Sequence, residues 1–291
     1  TSTGFCPKIE QIFPTGAMTT YQQLLRNSKL DPIDARLLLQ HVLQVNHAWL
    51  ISHRDDDASE AQIAAFQQLL ARRAAGEPVA YLLGEREFYS RSFQVRPGVL
   101  IPRPETELLV ELALARMPPA SSGKLLDLGT GSGIVAVTLA LERPGWQVEA
   151  LDISGDALAV AHDNARQLGA GNLRLRQSDW YSALAADEAF QLIVSNPPYI
   201  RADDQHLAQG DLRFEPPGAL TDFADGLSCI RQIIAGCTQH LQPQGWLLFE
   251  HGYDQAQECR LLLQQSGFEQ VSSVADLAGI ERVTLGQKPA G

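Results

Sequence analysis

The sequence predicts an α/β protein, a doubly wound sheet of seven strands that follows a small bundle of helices. Three observations predict it. From residue 104 onward, short apolar runs of strand length alternate with helical patterns, the order that builds a sheet with helices on both faces. Between Thr20 and Gly76 the apolar residues recur at helical spacing. A glycine-rich turn, Gly129-Thr130-Gly131-Ser132-Gly133, joins the first of the later strands to its helix, as in nucleotide-binding sheets.

Residues 1–17 differ in character from the rest and are expected to be an expression remnant or an upstream extension, with Met18 opening the first helical pattern. The segment 18–77 reads as a helical domain. Tyr21, Leu24 and Leu25, then Leu37, Leu38, His41 and Val42, then Ile63, Phe66, Leu69 and Leu70 each line one helix face. Asp31-Pro32 and Ser59 mark helix starts, because a short polar side chain can accept from the free N–H groups of a first turn. Gly76-Glu77-Pro78 stops the last helix. Over 78–102, the short stretches Glu87-Phe88-Tyr89 and Phe93-Gln94-Val95 predict a β-hairpin linker.

The α/β domain is expected over 103–291. A helix is predicted from Pro104 to Arg116, and strands near 124–128, 147–152, 173–177 and 190–195. A helix over 227–241 leads to the strand Trp246-Leu247-Leu248-Phe249-Glu250, and a helix over about 255–265 leads to a strand at 268–274. Arg282-Val283-Thr284-Leu285 closes the sheet.

Composition bounds the function. At 291 residues there is room for roughly two domains. A hydrophobic content of 45% and a charged content of 20% are ordinary for a soluble globular chain. The net charge of −11 disfavours tight, non-specific nucleic-acid binding, which needs a basic surface against phosphates. No run approaches the roughly 18 apolar residues of a membrane span, and no basic-then-apolar leader opens the chain, so a cytoplasmic location is expected. Cys6, Cys229, Cys237 and Cys259 show no Cys-x-x-Cys pair and no histidine at ligand spacing; they read as free thiols, with no metal expected. His251, beside Glu250 at a strand end, reads as structural.

The chemistry-bearing residues fall at strand ends. Lys124-Leu125-Leu126-Asp127-Leu128 runs into the Gly129–Gly133 turn and then into an apolar helix, and Asp152 ends the next strand, placed to bond ribose hydroxyls. A dinucleotide fingerprint needs glycine where this chain has Ile134, which argues against a nicotinamide cofactor. Gly-x-Gly-x-Gly followed by such an acid resembles instead the loop that holds S-adenosylmethionine in Rossmann-like methyltransferases. Ser178-Asp179-Trp180 follows the third strand: a carboxylate can accept from the exocyclic amine of adenine, and an indole can stack on the base. Asn196-Pro197-Pro198-Tyr199 follows the fourth. The prolines fix an extended backbone, so the Asn196 amide and the Pro197 carbonyl can grip a planar amino group while the Tyr199 ring covers it.

Taken with Leu100-Ile101-Pro102-Arg103-Pro104-Glu105-Thr106-Glu107 and the terminal Glu281-Arg282-Val283-Thr284-Leu285-Gly286, these motifs resemble the HemK/PrmC family over residues from about Met18 to Lys288. The resemblance implies a Rossmann-like class I methyltransferase whose last strand is antiparallel, and a release factor glutamine N5-methyltransferase activity. It implies that Gly129, Thr130, Gly131, Ser132, Gly133, Asp152, Asp179, Trp180 and Asn196 hold S-adenosylmethionine. Asn196, Pro197, Pro198, Tyr199 and Arg103 would hold the substrate glutamine, with Asn196, Pro197 and Tyr199 catalytic. The partner implied is a peptide chain release factor carrying a Gly-Gly-Gln loop, read by the helical domain, with no stable nucleic-acid partner, no membrane, and the enzyme a monomer.

An amide nitrogen is a poor nucleophile, because its lone pair is shared with the carbonyl. Acceptors at Asn196 and Pro197 would stabilise positive charge as it develops on that nitrogen. The tetrapeptide alone does not separate glutamine from an exocyclic base amine, so an adenine-N6 or guanine-N2 methyltransferase with a flipped base remains a rival, as does a ribosomal-protein glutamine methyltransferase. A nucleotide-binding oxidoreductase or a non-catalytic ligand-binding module is the alternative from another class.

Overall fold

In the computed structural model the described residues are 19–290, so the expectation for residues 1–17 lies outside them. The chain divides into two compact units at Gly84/Glu85.

The first unit is helical: α1 (Tyr21–Asn27), α2 (Pro32–Leu43), α3 (His47–Ser52), α4 (Glu60–Ala74) and α5 (Val79–Leu83). Thr20 and Ser59 each accept from the N3 backbone while Gln23 and Gln62 bond back to the cap, two reciprocal capping boxes that satisfy otherwise orphaned N–H groups. Asp31 caps α2 with Pro32 at its first position. Leu24, Leu38, Leu39 and Phe66 are fully buried where the helices meet. Helix α3, short and capped by Asn46, has no apolar pattern of its own to predict it. Residues 79–83, expected within the hairpin stretch, form α5, ended by Gly84 in the left-handed region.

The second unit opens on the hairpin of β1 (Glu85–Phe88) and β2 (Arg91–Gln94), with Glu85 opposite Gln94 and Phe88 opposite Arg91. Its two-residue turn takes φ of +50° and +58° at Tyr89 and Ser90, the geometry of a type I′ turn without the usual glycine. Phe88 and Phe93 are buried in the same core as Leu109 and Val135, so the hairpin is packed into the α/β unit.

After a short 3₁₀ turn at Pro104–Thr106 the chain continues through α6 (Glu107–Leu114), β3 (Gly123–Leu128), α7 (Ile134–Glu142), β4 (Trp146–Asp152), α8 (Gly155–Leu168), β5 (Leu173–Gln177) and β6 (Phe190–Ser195). It then runs through α9 (Pro217–Leu220), α10 (Ser228–His240), β7 (Leu241–Glu250), α11 (Ala256–Gln265), β8 (Glu269–Ala275) and β9 (Glu281–Gln287). The seven-stranded sheet has the order β5-β4-β3-β6-β7-β9-β8. Strands β5 to β7 run parallel, and β9 pairs antiparallel with both neighbours, so the last strand is antiparallel as implied.

Two differences from expectation have local causes. The strand predicted from Trp246 begins at Leu241, because Pro243-Gln244-Gly245 lies where the register to β6 shifts between Phe190 and Leu192, and a bulge tolerates the missing N–H of proline. Helix α8 had no assignment, since its buried face, Ala157, Val160, Ala161, Asn164 and Ala165, carries little apolar bulk.

The consequence for function is the switch point. After β3 the chain winds to one side through β4 and β5, then returns to place β6 on the other side of β3. The crevice beyond the carboxyl ends of β3 and β6 is where an open sheet binds ligands. The Ser195 hydroxyl donates to the Leu128 carbonyl at 2.7 Å and locks those two ends together.

Candidate active site

At the end of β3 the backbone turns back on the sheet, with the N–H groups of Gly129 and Thr130 both donating to the Leu151 carbonyl of β4. Gly129, Gly131 and Gly133 take φ of +70°, +58° and +83°. At Gly133 the requirement is doubled, because an added Cβ would lie 3.0 Å from the Ala161 Cβ of α8. Helix α7 can start this close to α8 only from a residue without a side chain.

Asp152 closes the loop. Its Oδ2 accepts from the Gly131 N–H at 2.8 Å and its Oδ1 from the Ser154 N–H at 2.8 Å. Asp127 lies beneath, 2% exposed, accepting from the Thr130 hydroxyl at 2.6 Å. Burial, reinforced by the charge of Asp152, pushes the Asp127 carboxyl up to about 7, against the hydrogen bond from Thr130. Burial also raises Asp152 above the ordinary carboxylate range. Two buried carboxyls side by side at this loop favour a ligand that brings positive charge and hydroxyls.

These residues wall a cavity of about 370 Å³ at the switch point. Gly129, Thr130, Gly131, Ser132, Asp152, Asp179, Trp180, Asn196, Pro198 and Arg103 line it. Trp180 holds φ of +45°, and the Ser178 hydroxyl donating to its carbonyl at 2.6 Å fixes that turn. Gly133 is not among the lining residues; it sets the start of α7.

A second cavity of about 100 Å³ is lined by Leu100, Arg103, Asn196, Pro197, Tyr199, Ile200, Leu212, Ala219 and Leu220. Arg103 and Asn196 line both cavities, while Pro197 and Tyr199 line the second alone. The four residues of the tetrapeptide are thus brought to the boundary between a large cavity and a small one. The Asn196 Nδ2 donates to the buried Thr106 hydroxyl at 3.1 Å, which leaves Oδ1 as the acceptor. The Tyr199 hydroxyl donates to Glu250 Oε1 at 3.1 Å, and burial together with that carboxylate raises the phenol well above its ordinary range.

The comparisons with known proteins agree with this architecture. Residues 17–84 match the family described as PrmC N-terminal domain, and residues 104–212 match the family described as methyltransferase small domain. A release factor glutamine methyltransferase of Bordetella pertussis is 52% identical over 92% of this chain and 99% of its own length. One from Burkholderia pseudomallei is 53% identical over 93% of this chain and 96% of its own. This chain belongs to the release factor glutamine methyltransferase family. Among solved structures, a methyltransferase from Pyrococcus furiosus, 14% identical, shares the fold with a TM-score of 0.53 over 77% of this chain and 99% of that one.

Several residues that shape the site of this methyltransferase were not singled out from sequence. Glu215, its side chain fully buried, pairs with Arg103 and accepts from the Ile101 N–H at 2.9 Å, tying the loop after β6 to the segment before α6. Gln255 donates to the carbonyls of Tyr199 and Gly226 and accepts from the Gly252 N–H, joining three loops. At Gly226 an added Cβ would lie 2.6 Å from the Tyr199 carbonyl, so only glycine lets that loop approach. Asn164 donates to Ser132 and, across the hairpin, pairs with the backbone of Gln94. No signal short of the fold marks these as site residues, because each acts on partners distant in sequence. His251 is fully buried, with Nδ1 near the Gly252 carbonyl and Nε2 near the Thr284 hydroxyl, and lines neither cavity. Cys229, Cys237 and Cys259 are free thiols, whereas Cys6 lies outside the described residues.

Proposed function

We propose that this chain transfers the methyl group of S-adenosylmethionine to the side-chain amide nitrogen of the glutamine in the Gly-Gly-Gln loop of a peptide chain release factor. The observation that carries the reading is the placement of Asn196, whose amide is pinned by Thr106 at the boundary of the two cavities. The larger cavity suits the cofactor and the smaller one the flat end of a glutamine side chain.

S-adenosylmethionine, when bound, supplies a methyl group on a sulfonium and so needs no metal to activate it. The residues present fit it: Asp152 would hold the ribose, Asp179 and Trp180 the adenine, and the glycine loop with Asp127 the cationic methionine end. Asn196 Oδ1 and the Pro197 carbonyl would accept from the substrate N–H₂, fix its plane, and stabilise positive charge on nitrogen as the N–C bond forms and the sulfonium C–S bond breaks, with S-adenosylhomocysteine leaving and one amide proton passing to water. Tyr199, held by Glu250, closes the second cavity over that plane. Leu212, Ala219 and Leu220 exclude water from it, which strengthens these hydrogen bonds. Arg103, paired with Glu215, holds the boundary between the cavities.

The helical unit is the surface that reads the release factor, acting in the cytoplasm as a monomer without stable nucleic acid. The reading is tested with labelled S-adenosylmethionine, a purified release factor, its loop Gln→Ala variant, and duplex DNA. Label is expected on the intact factor alone. Label on DNA or on the variant factor overturns the reading.

A further inference from the structure

Nine large apolar side chains stand exposed among the described residues, and two of them, Ile153 and Phe223, line the larger cavity. Isolated exposed apolar residues are common on protein surfaces and need no explanation by themselves. Phe223 differs in its backbone. It is 67% exposed and holds φ of +57°, in the left-handed region that a residue with a bulky side chain enters only at a cost. Burial does not compensate for that conformation, and glycine would suit the turn better.

The loop around Phe223 is built to hold it there. Asp222 Oδ1 accepts from the N–H groups of Ala224 at 2.9 Å and Gly226 at 3.0 Å, and its Oδ2 accepts from the Ser228 N–H at 2.8 Å and the Ser228 hydroxyl at 2.7 Å. The Phe223 N–H donates to the Thr221 hydroxyl oxygen at 3.0 Å. The N–H groups of Ile200 and Ala202, just beyond the tetrapeptide, donate to the Leu220 and Ala224 carbonyls. None of these bonds involves the phenylalanine ring, so the loop keeps its shape without it.

Helix α10 locates the loop within the cavity. The loop runs into α10, whose first turn carries Cys229 into the same cavity wall. The Tyr181 hydroxyl donates to the Ile233 carbonyl of α10 at 2.8 Å, and Trp180, Tyr181 and Leu227 pack against the core cluster that contains Ile230 and Ile233. The segment before α10 therefore borders the Asp179–Trp180 turn, the end of the cavity assigned above to adenine. We propose that Phe223 is a cofactor-binding residue, its ring covering the adenine of S-adenosylmethionine at the cavity rim. The inference rests on the cofactor reading given above and is independent of the methyl acceptor. A purine presents a flat face on which an aromatic ring both leaves water and stacks. The strained, exposed phenylalanine thus serves the ligand and not the fold.

Phe223→Gly separates those two roles, because it relieves the backbone and removes the ring. Without ligand, its unfolding temperature should equal or exceed that of the parent. Its affinity for S-adenosylhomocysteine, measured by calorimetry, should fall ~10-fold or more. Phe223→Tyr should stay within about threefold of the parent, while Phe223→Leu, apolar but not aromatic, should remain ~5-fold or more weaker. 5′-Methylthioadenosine keeps the base and ribose but lacks the amino acid, and Phe223→Gly should weaken it by the same factor. An affinity of Phe223→Gly within about twofold of the parent overturns the proposal. So does an unliganded unfolding temperature lowered by more than about 3 °C, which would assign the ring to the fold. A loss confined to S-adenosylhomocysteine, with methylthioadenosine unaffected, overturns the adenine assignment. Failure of the parent itself to bind either ligand would overturn the cofactor reading instead.

Discussion

Replacing Gly133 by alanine tests how tightly the cofactor loop is built into the sheet. The residue holds φ of +83°, a conformation that costs a residue with a Cβ about 1–2 kcal/mol. The added Cβ would also stand 3.0 Å from the Ala161 Cβ, 3.2 Å from its Cα and 3.3 Å from Val137 Cγ2. Two of these atoms belong to α8 and cannot rotate away, so overpacking adds about 1–3 kcal/mol. The sum, about 2–5 kcal/mol, corresponds to a fall of roughly 4–20 °C in the unfolding temperature of a unit this size. Gly129→Ala is the control, since Gly129 has φ of +70° but no atom within 4 Å of an added Cβ. It should show the conformational cost alone. Thermal or urea unfolding without ligand reads both variants. Equal destabilisation within about 0.5 kcal/mol would refute the close approach of α7 to α8 as the reason for glycine at this position.

Three further outcomes follow from the same geometry. Asp152→Asn keeps the shape but weakens acceptance from the Gly131 N–H and from ribose hydroxyls, so cofactor binding measured by calorimetry should weaken by ~10- to 100-fold; unchanged affinity would remove Asp152 from the site. Glu215→Ala leaves Arg103 unpaired and the Ile101 N–H without its acceptor, so denaturant unfolding should show a loss of about 2–4 kcal/mol and turnover should fall with it; a loss under about 0.5 kcal/mol would mean the ion pair does not hold the loop. Asp127, raised from 3.8 to about 7, keeps its proton in the folded chain between those values while the unfolded chain has lost it. Its stabilisation is therefore complete below pH ~4 and lost as pH rises through ~7, an upper bound of ~4 kcal/mol, so Asp127→Asn should gain stability relative to the parent from pH 5 to 8. A stability difference flat with pH would show that Asp127 is not so perturbed.

What could be read from sequence was what depends on short-range pattern. Strand, glycine turn and helix at Leu125–Ala140 form a contiguous signal, and so does an apolar strand ending in Asn196-Pro197-Pro198-Tyr199. The sheet order then brings those separate strand ends to one crevice, and Trp180 and Asp179 join the same cavity wall. What could not be read depends on contacts across the fold. Glu250 looked like the polar end of a strand and Thr106 like part of a helix start, yet they stand behind Tyr199 and Asn196, 51 and 90 residues away along the chain. Glu215 lies 112 residues from Arg103. Boundaries slipped where local chemistry was ambiguous: Val79–Leu83 lacks a side-chain cap, and Pro243 hid the first half of β7.

The central claim is that Asn196 acts on the substrate amide while the glycine loop and Asp152 hold the donor. The measurement that meets it most directly is the pair of constants for Asn196→Ala: the dissociation constant for S-adenosylmethionine by calorimetry, and turnover on a release factor at saturating cofactor. Turnover is expected to fall by ~10²-fold or more and cofactor affinity to change by less than about threefold. Parallel loss of both, or turnover left intact, would contradict it.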